Sequence, residues 1–117
     1  IEVSSSSIHE IIEAKEAESS QAILARVQKA HDIQTQRYAK HKIKNNSELH
    51  GNLIKEFAEP IPEAKLFLNN AAEKMKLSMR GYNRTLKLAR SIADMTEEEK
   101  INKSHIAEAL NYRKHHY

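Results

Sequence analysis

The chain has 117 residues, with 19 Lys and Arg against 16 Asp and Glu, 39% hydrophobic and 5% aromatic content, no cysteine, two glycines and two prolines. That length suits one domain with a modest core, and the shortage of turn, β-branched and aromatic residues points to an all-α protein. Lack of cysteine excludes thiolate catalysis, cysteine-ligated zinc and disulfide frameworks, while a formal net charge of +3 permits phosphate contact without marking a dedicated nucleic-acid binder.

The chain opens with Ile1-Glu2-Val3, with no initiator methionine, as expected of a processed protein or a piece of a longer one. "IEV" has the look of a strand end. Ser7 and Glu10 form a capping-box pattern ahead of Ile8, Ile11 and Ile12, predicting a short N-terminal helix, and "EAKEAESS" then reads as a solvated connection. We therefore divide the chain into 1–18, a strand remnant and connection, and 19–117, a helical domain.

From Ser19-Ser20 a long helix is expected, with Ile23, Leu24, Val27, Ala30 and Ile33 at helical spacing and Arg26, Lys29, Gln34 and Arg37 facing water, fading between His41 and Asn46. "KNNS" is turn chemistry. Ser47 is a candidate N-cap for a shorter helix carrying Leu49, Leu53, Ile54 and Phe57, which "EPIP" ends. Pro62 suits the first turn of a third helix, whose wide apolar face (Ala64, Leu66, Phe67, Leu68, Ala71, Ala72, Met75) predicts extensive burial. Ser78 caps a fourth helix, the acidic "TEEEK" ends it, and a last helix begins near Asn102 with Ile106, Ala109 and Leu110 inward. The expected architecture is a bundle of about four main helices plus the short N-terminal one.

The fourth helix, "LSMRGYNRTLKLARSIADM", is two-sided. Winding it at about 100° per residue places Tyr82, Leu86, Ala89, Ile92 and Ala93 on one face and Arg80, Arg84, Lys87 and Arg90 on the other. Arg80 in the first turn and Asp94 near the C-terminus both oppose the helix dipole, so neither end is optimised for an isolated helix. Arg80 and the unpaired amides around it would together make a phosphate site.

These residues also carry a resemblance. The fourth helix followed by "HIAEALNYR" resembles the C-terminal segment of magnesium-chelatase-like AAA+ ATPases of the competence protein ComM (YifB) group, where the pattern is close to Leu-Ser-Ala-Arg-Ala-Tyr-His-Arg, then a helix ending Ala-Arg-Thr-Ile-Ala-Asp, then His-Ile-Ala-Glu-Ala-Ile-Gln-Tyr-Arg. Leu77, Ser78, Arg80, Tyr82, Arg84, Ala89, Arg90, Ile92, Ala93 and Asp94 keep it, as do His105 to Ala109, Tyr112 and Arg113, and "ESS" at Glu18 to Ser20 extends the likeness. Departures are Met79 and Gly81 where alanine is usual and Lys76 where glycine is common; Gly81 should loosen the helix start.

The resemblance implies an AAA+ lid: a helical subdomain following an α/β nucleotide-binding core, "IEV" being the tail of a core strand. Arg80 matches the sensor-2 arginine, which contacts the γ-phosphate of ATP in the same or a neighbouring subunit and couples lid position to nucleotide state; Arg84 is a second candidate. It further implies ATP and Mg in the parent protein, an N-terminal AAA+ core as partner, neighbouring subunits of a hexamer, and a DNA-acting motor in recombination during natural transformation. With no G-x-x-x-x-G-K-[ST] loop, the fragment itself is expected neither to bind these cofactors nor to hydrolyse ATP and carries no catalytic residue.

Lys87 and Arg90 are candidates for contact with DNA or a subunit. The alternative is a free-standing helical module binding nucleic acid through the basic face of residues 78–95, with affinity falling steeply in salt. No metal site is expected, since His9, His31, His41, His50 and His105 lack paired ligand spacing and His115-His116 lie at the terminus. His105 reads as a packing or capping residue, Ser78 as a cap rather than a nucleophile, and Tyr82 as core. No apolar run reaches membrane-spanning length and no signal peptide is visible, so the expected location is cytoplasmic, away from any membrane.

Overall fold

A computed structural model describes the backbone of residues 5–116 and the side chains of residues 20–112. "IEV" and the side chains of the Ser7–Glu10 pattern lie outside these residues. Five helices follow in order: α1 Ser5–Arg37, α2 Asn52–Phe57, α3 Pro62–Met75, α4 Met79–Met95 and α5 Lys103–His116, with a 3-10 turn at Asn46–Glu48. The fold is all-α, and among the described residues the one β-type contact is a single bridge between Pro60 and Ile101.

The N-terminal third differs from expectation. One helix of 33 residues runs through both the expected short helix and the "EAKEAESS" connection. Glu, Ala and Lys are strong helix formers, and without Gly or Pro the serines cannot interrupt it. It ends at Arg37, so the short element of the bundle is α2 and not an N-terminal helix. Only the C-terminal part of the predicted α1 stripe is covered: Ala30 is buried and Ile33 half-buried, whereas Ile23, Leu24 and Val27 are exposed.

Ser47 does not cap α2. It sits inside the 3-10 turn, where the Asn45 side chain accepts its backbone N–H (3.0 Å). The chain turns into α2 at Gly51, whose φ of +53° is costly for any residue with a Cβ. Beyond α2, Pro62 occupies the first turn of α3 as expected. Burial of α3 is narrower than its composition promises: Ala64 and Leu68 are enclosed, but Leu66 and Met75 are exposed.

The core lies where α4 meets α5 and the end of α1. Leu86, Ala89 and Ala93 of α4 join Ile106, Ala109 and Leu110 of α5, with Leu68, Leu49, Ile54, Tyr38 and Ile101 closing the cluster. Small side chains at Ala89, Ala93 and Ala109 allow the helices close approach, so α4 is held along one whole side. That fixes the direction in which its first turn points.

Candidate functional site

The first turn of α4 is set by the preceding corner. Lys76 closes α3 in a left-handed conformation (φ +54°), and Leu77 N–H returns to Ala72 O at 3.0 Å. This is a Schellman-type ending, normally built on glycine. Ser78 then caps α4 by accepting Gly81 N–H at 3.0 Å. Gly81 is pinned at both ends, because its carbonyl accepts the Thr85 hydroxyl at 2.8 Å.

Arg80 is exposed in this turn and makes no hydrogen bond or ion pair among the described residues. No acidic residue lies in the first turn of α4, and the helix itself does not use the amides of Met79 and Arg80. An exposed guanidinium is thus added to a helix start whose free amides and dipole already carry partial positive charge. The corner is therefore complementary to an anion.

Farther along the same helix the predicted basic face divides. Arg84 is exposed, and Lys87 is half-buried with its ammonium donating to Ser47 O at 3.2 Å. Both line a groove of about 460 Å³ between the 3-10 turn, α4 and α5. Arg90 does not join them. It is 5% exposed and donates to the carbonyls of Glu98 and Glu99, each at 2.8 Å, while lying 3.1 Å from Asp94. The segment after α4 folds back over it, turning an arginine expected on the solvent face into an internal strut. Its Nε is buried without a partner among the described residues, and burial pushes its pKa down.

Asp94 receives a second arginine from α1. Arg37 donates to both carboxylate oxygens, at 2.8 and 2.6 Å, and this hydrogen bonding pushes its own pKa up against the opposing effect of burial. Asn46 completes the cluster. Its amide nitrogen donates to Asp94 (2.9 Å) and Ser91 (3.1 Å), and its carbonyl accepts from Tyr38 (2.6 Å) and Arg37 (3.3 Å). Burial raises the Tyr38 pKa. The carboxylate that opposed the α4 dipole is thus balanced by two cations.

Sequence reading placed Arg37 toward water and Asn46 in a turn and so missed both as partners of Asp94; it did not single out Tyr38, which reaches the cluster through Asn46. The 90–94 spacing, one helical turn, was the available local signal. Other residues sit as expected: Tyr82 is half-buried and donates to Asn69 (2.6 Å), and His105 is buried, its Nδ1 accepting Asn102 N–H (3.0 Å) while Asn102 Oδ1 accepts His105 N–H (3.2 Å). Among the described residues no three His, Asp or Glu side chains group to hold a metal, and no helix is long and apolar enough to cross a membrane.

Fold and site together define a helical domain that offers a cation at the capped start of its central helix. The family described as "Magnesium chelatase, subunit ChlI C-terminal" matches residues 17–113, and the chain belongs to it. Among its relatives, the competence protein ComM of Haemophilus influenzae is 36% identical over 96 residues, covering 82% of this chain and 18% of ComM. The YifB proteins of Salmonella typhimurium and Escherichia coli are each 33% identical, over 100 and 96 residues, covering 86% and 82% of this chain and 19% and 18% of their own length. The chain spans about a fifth of the length of these relatives.

Proposed function

We propose that this domain is the C-terminal lid of a ComM-like AAA+ ATPase and that Arg80 is its sensor-2 residue, reading the terminal phosphate of ATP. The observation that carries this reading is the exposed guanidinium at an electropositive helix tip with no internal counter-charge. Planar N–H donors on a guanidinium suit a phosphate oxygen, and they would stabilise charge developing there during phosphoryl transfer. ATP with Mg would be held chiefly by the α/β core of the same polypeptide, with Arg80 approaching from the lid.

Loss of the γ-phosphate would remove what compensates Arg80, so lid position would follow nucleotide state. A hexameric motor acting on DNA fits this arrangement, with Arg80 serving its own subunit's nucleotide or a neighbour's. The competing nucleic-acid module has one cation fewer than its sequence promises, because Arg90 is turned to the chain's own carbonyls.

The test is Arg80→Ala in the full-length protein. ATP turnover should fall by at least tenfold, about 1.4 kcal/mol of transition-state stabilisation, with the circular dichroism spectrum unchanged. Wild-type turnover would remove Arg80 from the role. Arg84→Ala, one turn farther along, should reduce turnover less; the reverse order would transfer the assignment to Arg84.

A further inference from the structure

Two oppositely charged features flank the C-terminal half of α4. One is the groove of about 460 Å³, whose walls include Ser47, Arg84, Lys87, Leu88, Ser91 and Tyr112 and, among the described residues, contain no acidic side chain. Its volume lies within the range of sites that enclose a side-chain cluster or small ligand. Lys87, anchored to Ser47 O, holds its charge at the wall instead of sweeping through solvent.

The other is the acidic turn after α4, Thr96–Lys100, which presents Glu97, Glu98 and Glu99 to solvent. Its backbone is fixed from below. Buried Arg90 holds the carbonyls of Glu98 and Glu99, and Glu97 N–H and Glu98 N–H return to Asp94 O and Ala93 O at 3.0 and 2.8 Å. Glu98 is further tied to Asn102 (2.9 Å). The Glu99 carboxylate makes no hydrogen bond or ion pair among the described residues. The knob is rigid, so little ordering entropy is lost when it binds; Glu97 pairs at its exposed edge with Lys29 (3.4 Å) and Glu98 lies 3.5 Å from His105 Nε2, which leaves Glu99 as the carboxylate it offers outright.

No residue of 96–100 lines the groove, so one molecule does not fill its own. We propose that the basic groove at Arg84 and Lys87 receives the Glu97–Glu99 turn of a second copy of the chain. Unlike surfaces meet, so the contact is head-to-tail and can repeat from copy to copy. It is small and charge-driven, which makes it weak in isolation and sensitive to salt. It does not depend on what Arg80 binds.

The test mixes isotopically light and heavy 117-residue chains at low salt and treats them with a zero-length carbodiimide, which joins a carboxylate to an amine. Mixed-isotope peptides linking Lys87 to Glu97, Glu98 or Glu99 are expected. Lys87→Glu should weaken self-association in sedimentation about tenfold, as should Glu99→Lys, whose side chain takes no part in holding the turn. Mixing these two variants should restore association, which a folding defect in either could not do. Absence of mixed-isotope Lys87 links, or failure of the mixture to restore association, overturns the contact. Arg80→Ala should leave the links unchanged, so failure here and failure of the sensor assignment are read separately.

Discussion

Asp94 shows what one side chain can be asked to hold. It is enclosed, it faces Arg37 and Arg90, and it accepts from Asn46, so its removal leaves two inward-facing guanidinium groups without their counter-charge. Breaking a buried pair from one side is far costlier than losing a surface pair. Asp94→Ala should destabilise the domain by about 3 kcal/mol or more in urea titration. Lys29→Ala, which removes an exposed pair with Glu97 (3.4 Å), should leave the midpoint essentially in place. Tyr38 supplies a pH-dependent counterpart. Burial keeps its phenol protonated in the folded chain to higher pH than in the unfolded chain, which ionises near pH ~10. Stability from this group is complete below that pH and is lost as pH rises through the folded-state value. The urea midpoint should therefore drop on the alkaline side, and less steeply in Tyr38→Phe.

At the scale of elements, helix ends decided how much of the structure could be read in advance. Pro62, Ser78 and Asn102 each place a helix start by local chemistry, and α3, α4 and α5 begin where those residues require. For α1 a start was read in the serine run where the helix begins, at Ser7, but its continuation past residue 12 was not. The later serines were read as a break, but nothing in "EAKEAESS" opposes a helix, and one continuous helix results. The Asp94 cluster was illegible for a different reason: residues 37, 46 and 94 meet only after folding, and no periodicity links them. The corner before α4 carries two predictions. Ser78→Ala should cost about 1 kcal/mol by releasing Gly81 N–H. Lys76→Gly should raise stability by about 0.5–1 kcal/mol, since the left-handed position taxes a side-chain-bearing residue. Both are checked by thermal or urea unfolding.

Across the whole molecule α4 acts as a rod of 17 residues, about 25 Å long. Its C-terminal end is tied to α1 through Arg37 and to the following turn through Arg90, while α5 packs along its side. Its N-terminal tip carries Arg80 outward. In the proposed lid, a force applied to that guanidinium by a phosphate would be passed along a stiff helix to the rest of the domain, since the far end cannot yield without breaking the Asp94 cluster. The most direct measurement is the structure of the full-length protein bound to a non-hydrolysable ATP analogue with Mg. Arg80 should lie within hydrogen-bonding distance, about 3 Å, of a terminal phosphate oxygen. A guanidinium turned away from every nucleotide in that assembly would contradict the assignment.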